Sequence, residues 1–185
     1  MSTNERNLGF FRAVVQKPEK SSNKNPWGFI LLPKGVSDLL PRRGRTTVNA
    51  TVNTCVLELT LEPDGKLSHW FSLDSAALVA ASIHLGDEVD VNIALLPTEP
   101  IPTPPADFAK ALAKHPAAKT VWGTTSAIAQ VDWIHWIESS KQAKTRVDRI
   151  AKACAMLESG KKRVCCFDPS GFYSKALSAP VAAKR

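Results

Sequence analysis

The chain is 185 residues long and 44% hydrophobic, which is enough apolar material for a core without disulfide staples. It carries 24 Lys and Arg against 17 Asp and Glu, a formal charge of +7; residues 1–97 hold ten basic and ten acidic side chains, so the whole excess lies in residues 98–185. This composition, with no stretch of about 18 apolar residues, excludes a collagen, a disordered tail protein and a membrane-spanning helix.

The stretch Met1 to Leu8 has one basic residue, one acidic residue and no apolar run, so it does not read as a secretory signal. Phe10 to Gln16 and Trp27 to Leu32 are apolar, β-prone runs separated by a polar loop, Lys17 to Pro26, expected to be mobile. Val48, Ala50 and Val52 alternate with Asn49 and Thr51, and Asn53-Thr54 turns into the next strand. There Leu57, Leu59 and Leu61 alternate with Glu58, Thr60 and Glu62, the period of a strand with one wet face. Pro63-Asp64-Gly65 supplies a tight turn, with Leu67 to Phe71 as the return strand of a hairpin. Asp74 is placed to cap a short Ala-rich helix through Ser82. Gly86-Asp87 then leads into Glu88 to Ala94, where Val89, Val91 and Ile93 face one side. Six short strands in about 90 residues have exposed edges unless they curl, so the expected form is a small closed or partly open barrel.

Pro97, Pro100, Pro102, Pro104 and Pro105 mark an extended connection. Beyond it the periodicity is helical. Thr103 and Pro104 open a helix that Pro116 stops, with Phe108, Ala111, Leu112 and His115 on one side. A second helix, about Thr125 to Ser139, carries Ile128, Val131, Ile134 and His135 on one face and Trp133, Trp136 and Ile137 on the rest. A third begins near Thr145, with Thr145-x-x-Asp148 as a capping box. Its stripe is Val147, Ile150, Cys154 and Leu157, and Gly160 ends it. Residues after Phe167 read as a loosely held tail. The expected class is α+β, a six-stranded β-barrel with one short helix followed by a three-helix domain. The expected boundaries are 8–97 for the barrel, 98–105 for a Pro-rich linker, 106–165 for the helical domain and 166–185 for the tail.

The four cysteines, Cys55, Cys154, Cys165 and Cys166, contain no C-x-x-C spacing. Zinc ribbons and thioredoxin-like sites are therefore not indicated, and a reducing cytoplasm is the expected compartment. Cys165-Cys166 is read as two neutral thiols in preference to a redox sensor. His69, His84, His115 and His135 are scattered and build no metal motif, and no Walker A, G-x-S-x-G or G-x-G-x-x-G is present. No catalytic residue, metal or cofactor is nominated, and enzyme is the weakest reading.

Lys141, Lys144, Arg146, Arg149, Lys152, Lys161, Lys162 and Arg163 form the main basic cluster, opposed in that segment by Asp148 and Glu158. A positive helix face can hold phosphates. An amphipathic helix must also present something soluble, and that plainer reading is preferred. Arg42-Arg43-Gly44-Arg45 is a second basic knot, in a loop between strands. Five tryptophans against one tyrosine is unusual usage. Trp133 and Trp136 read as packing, whereas Trp27 and Trp70 on barrel strands are the better pocket candidates.

The run Phe11 … Trp27-Gly-Phe-Ile-Leu-Leu-Pro33 … Gly44-Arg45 … Val48 … Gly86-Asp87-Glu88-Val89 resembles a bacterial β-barrel family known only as a domain of unknown function. Pro105 … Ala109-Lys-Ala-Leu112 … Trp133 … Trp136-Ile137 … Lys144-Thr145-Arg146 … Arg149-Ile150 … Gly160-Lys161-Lys162 resembles the YdeI/OmpD-associated, or bacteriocin-protection, helical domain. Together the two would cover about residues 8–165. The resemblance implies a barrel followed by a small helical domain, and a role in protection against antimicrobial peptides with no established reaction. Ser72 to Ala81 lacks the basic side chains usual in the barrel family, and Leu95 to Pro105 replaces its usual charged strand end with prolines.

The favoured function is a non-enzymatic binding or stress-protection protein, holding a small anionic ligand where barrel and helices meet. Trp27, Arg45 and Trp70 would line that site, with Lys144, Arg146 and Arg149 supplying charge. The alternative is a nucleic-acid-binding protein that uses the basic helix at 145–159. It is supported by a loose similarity of Leu85-Gly-Asp-Glu-Val89 to swapped-hairpin AbrB-like barrels. Oligomeric state is left open.

Overall fold

A computed structural model describes residues 6–21 and 25–184. The chain divides into two compact units, Met1–Thr98 with Ser170–Arg185, and Glu99–Pro169. The first holds strands β1 (Arg6–Val14), β2 (Gly28–Leu31), β3 (Thr46–Val52), β4 (Cys55–Pro63), β5 (His69–Leu73) and β6 (Glu88–Leu95). It also holds two short helices, α1 (Lys34–Ser37) and α2 (Ser75–Ala80). The strands form one antiparallel sheet in the order β1-β6-β3-β4-β5-β2.

This sheet curls into a half-barrel because its inward positions are β-branched or aromatic and must leave water. Val48, Ala50, Val52, Val89, Val91, Ile93, Phe71 and Leu73 are all enclosed and belong to one cluster. Each larger side chain so buried contributes about 1.5–3 kcal/mol. The two edge strands meet at a single bridge just beyond β1, where Gln16 and Phe29 exchange two backbone hydrogen bonds of 2.9 Å. Helix α2 packs on the same interior. Asp74 Oδ1 accepts from the Ala77 amide at 2.8 Å, the expected cap, and Leu78, Ala77 and Ala81 pack on the core.

Two details of this unit differ from the sequence reading. The return strand starts at His69 and not at Leu67, because Asp64 Oδ1 accepts from the amides of both Lys66 and Ser68 (2.7 and 2.8 Å). That Asx-type turn leaves Leu67 at φ +67°, outside the ladder. There are also two short helices where one was expected, since the chain after Pro33 coils into α1.

Residues 170–185, read from composition as a loose tail, group with the β unit. Glu19 N donates to the Val181 carbonyl and Ala183 N to that of Lys17, both at 2.8 Å. At the other end of this segment Leu177 lies against Gly65 and Gly171. A Cβ at Gly65 would sit 2.2 Å from the Leu177 carbonyl oxygen. Part of the Lys17 to Pro26 loop, residues 22–24, lies outside the described residues.

The second unit contains four helices, α3 (Ala106–Lys114), α4 (Pro116–Gly123), α5 (Ala127–Glu138) and α6 (Ala143–Glu158), where three were expected. Pro116 does end α3, but at the same time it occupies the first position of α4, where its missing N–H costs nothing. Helix α5 starts behind Ser126, whose hydroxyl accepts from the Ala129 amide. Helix α6 begins two residues before Thr145, behind Gln142, so the expected capping box does not form. Its C-terminus behaves as expected. Gly160 at φ +84° donates to the Leu157 carbonyl and Lys161 to that of Met156, the paired bonds of a Schellman motif.

The helical core is Phe108, Leu112, Trp122, Trp133, Ile137, Ile150, Cys154 and Leu157. Two apolar residues assigned to the stripes are exposed, Ile128 at 48% and Val147 at 65%. Ile128 is the second residue of α5 and Val147 the fifth of α6, so both stand near the starts of their helices. No helix among the described residues is long and apolar enough to cross a membrane.

Candidate functional site

Strand alternation sorts the β unit into two faces. Phe71 and Leu73 point inward, so Trp70 and Ser72 point outward, and their register partners Leu31 and Phe29 share that face. Phe29 is nevertheless fully enclosed while standing outside the interior cluster. Two indoles flank it, Trp27 with ring centroids 6.4 Å away and Trp70 edge-on at 6.3 Å. The three rings form one aromatic row on the outer surface. Trp27 and Trp70 both line an open groove of about 520 Å³, together with Pro26, Ser72, Asp74 and Ser75. Among the described lining residues the only ionisable group is the Asp74 carboxylate. One of its oxygens caps α2. Among the described residues the buried Trp70 Nε1 has no hydrogen-bond partner.

Arg45 stands on the same outer face. Thr46 pairs with Leu61, which puts Arg45 opposite Glu62, and Glu62 in turn pairs with Trp70. Arg45 Nε meets Glu62 Oε2 at 2.9 Å, with both side chains mostly covered. Three residues singled out from sequence thus fall on one surface, but Arg45 is joined to Glu62. Its neighbour Arg43 is also engaged, binding Asp38 at 2.9 Å and the Leu67 carbonyl at 3.2 Å. Bonds from Lys34 and then Arg43 hold the Asp38 carboxyl below the usual carboxylate range.

The other three sequence candidates are in the helical unit. Arg146 grips Asp107 through a two-pronged contact, Nε to Oδ2 at 2.7 Å and Nη2 to Oδ1 at 2.9 Å, tying α6 to the first turn of α3. That contact draws the Asp107 carboxyl down and pushes the Arg146 guanidinium up. Arg149 donates to the Trp136 carbonyl and, at 2.9 Å, to the Ser139 hydroxyl, and its guanidinium lies 5.3 Å from the Trp136 ring. It thereby serves one of the orphan carbonyls at the end of α5, that of Trp136. Lys144 is exposed, as are Lys141, Lys152, Lys161, Lys162 and Arg163.

One polar arrangement escaped sequence reasoning. Ser37 and His69 are fully enclosed, with Ser37 Oγ 2.7 Å from His69 Nδ1 and His69 Nε2 3.2 Å from the Gly44 carbonyl. A carbonyl only accepts, so Nε2 carries the proton and Nδ1 accepts from the serine hydroxyl. Burial first of all holds the imidazole below its ordinary pKa. The pairing has the form of a nucleophile and base, but neither side chain reaches solvent, and its effect is to pin α1 and the Gly44 loop to β5. The available signal was His69 at an inward strand position, where a polar group needs a partner. Among the described residues no group of three or more His, Cys, Asp or Glu is arranged to hold a metal.

Comparison with known families gives two matches. Residues 11–93 match the family described as a domain of unknown function, DUF1905, and residues 102–160 match Bacteriocin-protection, YdeI or OmpD-Associated. Their order is that of the fusion expected from the sequence. Neither the curated proteins nor the solved structures returned a match.

Proposed function

We propose, from a chain that joins a DUF1905-like β unit to a YdeI/OmpD-associated-like helical unit, a non-enzymatic binding protein of the bacteriocin-protection type whose binding surface is the indole groove of the β unit. The observation that carries this reading is the convergence of Trp27 and Trp70 on one groove whose described ionisable group is a carboxylate. Two indole faces beside Asp74 favour a ligand that is apolar in body and positive in charge, as in a lysine- or arginine-bearing peptide. A cation over an indole contributes about 0.5–2 kcal/mol, more as water is excluded. A small anion is favoured less, because Arg45, Arg146 and Arg149 would each have to leave an acceptor they already hold.

The test is calorimetric titration with a short lysine-rich amphipathic peptide and its glutamate-rich analogue. The lysine peptide is expected to bind, and Trp27→Ala or Trp70→Ala to weaken it about tenfold, the equivalent of about 1.4 kcal/mol. Asp74→Ser removes the charge but keeps a good cap, and it should weaken the lysine peptide without unfolding α2. Equal binding of the glutamate peptide, or unchanged affinity in both tryptophan variants, would refute the reading.

A second reading is supported by the helical unit. Lys144, Lys152, Lys161, Lys162 and Arg163 are exposed there, with Asp148 as an exposed acid on the same helix as Lys144 and Lys152, while nearby Asp107 and Glu158 are taken up by Arg146 and His115. Such a face suits a nucleic-acid backbone. Phosphate contacts of this kind would make affinity fall steeply between low and moderate salt.

A further inference from the structure

Cys165 and Cys166 are adjacent, both exposed, with their sulfurs 3.2 Å apart. The turn that presents them is fastened on both sides. Upstream, Trp133 Nε1 donates to the Lys162 carbonyl at 3.4 Å and Val164 packs against the helical core. Downstream, the Phe167 ring stands edge-on to the buried His135 ring at 5.2 Å. Cys166 itself sits at φ +59°, in the left-handed region. The remaining cysteines differ in kind. Cys154 is enclosed within α6, where burial pushes its thiol up, and Cys55 is half-buried on β4.

We propose that Cys165 and Cys166 form a vicinal dithiol site for hydroperoxides, which closes reversibly to an intramolecular disulfide. In the first step a thiolate sulfur attacks the peroxide oxygen. The O–O bond breaks, the sulfur becomes a sulfenic acid, and the other peroxide oxygen departs as alkoxide, or as hydroxide from hydrogen peroxide, and takes up a proton to leave as alcohol or water. In the second step the neighbouring thiol attacks the sulfenic sulfur, the S–O bond breaks, and its hydroxyl departs as water with the thiol proton. Two thiols and one hydroperoxide thus give one disulfide, one water and one alcohol, or two waters from hydrogen peroxide. The Cys166 thiol is held up first by its bond to the Cys165 sulfur and then by that neighbour's charge, with Lys161 pulling the other way. This suits Cys166 to the second step, as the partner that keeps its proton until it is needed. Adjacent Cα atoms are 3.8 Å apart, short of the usual span of a disulfide, so the closed form is readily reduced.

The test uses the full chain, fully reduced and then exposed to hydrogen peroxide. The denatured protein should fall from four titratable thiols to two. Its intact mass should drop by two hydrogens, the peptide spanning 165–166 should carry the loss, and dithiothreitol should reverse it. Cys154→Ser should still close the ring, Cys166→Ser should instead trap a sulfenic acid at Cys165 that labels with dimedone, and Cys165→Ser should neither close the ring nor label. Added oxygen without loss of hydrogen in the unmodified chain would overturn the proposal, as would a disulfide to Cys55 or to a second chain.

Discussion

His69, at an inward position of β5, and Ser37, at the end of α1, are polar side chains fully enclosed beside an apolar core, and their mutual bond is what makes that tolerable. Leaving one partner unsatisfied costs about 1–3 kcal/mol, so Ser37→Ala should lower unfolding stability by about that much in chemical denaturation. The same site gives the β unit a pH dependence. Since the folded imidazole resists protonation, the unfolded chain binds more protons in the window between the depressed value and the ordinary value of about 6.5. Stability therefore rises with pH across that window and is lost as the pH falls through it. His69→Gln, which cannot titrate, should flatten the difference in denaturation midpoint between pH 7.5 and pH 5.5. An unchanged pH profile would assign the titration elsewhere. Arg146 and Arg149 make separable contributions. The Arg146–Asp107 pair is partly exposed and screened, about 0.2–1 kcal/mol. Arg149→Ala should cost more, because it removes the charged donor to the Trp136 carbonyl and to the Ser139 hydroxyl and uncovers the Trp136 indole face.

At the level of elements, glycine substitutions separate two costs that are usually confounded. Gly86 has φ +97° and open space where a Cβ would go, whereas Gly65 has φ +72° and the Leu177 carbonyl at 2.2 Å. Gly86→Ala should cost only the backbone strain, on the order of 1–2 kcal/mol. Gly65→Ala should cost clearly more and loosen the C-terminal segment, visible as faster amide exchange at Glu19 and Ala183. Most elements were legible in the sequence for a plain reason. Val48 to Val52, Leu57 to Leu61 and Val89 to Ile93 each keep a strict period of two, and Asp74 and Gly160 carry the chemistry of their caps. Helix α4 was missed because Pro116 carries two opposite meanings, stop and start, and local sequence does not choose between them. The C-terminal segment was missed because its bonds are backbone bonds to Lys17 and Glu19, far away in the chain and invisible to composition. Of the candidate site, Trp27 and Trp70 were singled out through residue type and their place in apolar, β-prone runs; the structure puts both along one groove, with Trp70 on β5 and Trp27 just ahead of β2. The engagement of the three arginines was not legible, since Glu62, Asp107 and the Trp136 carbonyl are partners only in space.

On the scale of the whole molecule, the two units have separate cores and match separate families. The helical unit, Glu99–Pro169, should therefore unfold cooperatively as an isolated fragment by circular dichroism, and a featureless melt would contradict its independence. Removing Ser170–Arg185 should destabilise the β unit and leave the melting of the helical unit in place. The tryptophans provide the most direct test of the account. Two of the five, Trp27 and Trp70, line the groove, while Trp122 and Trp133 are enclosed in the helical unit and Trp136 packs beside them under Arg149. Titration with the lysine-rich peptide, followed through the indole N–H signals by nuclear magnetic resonance, should move those of Trp27 and Trp70 saturably and leave the other three in place. Movement confined to Trp122, Trp133 and Trp136, or none at all, would contradict a binding surface on the β unit.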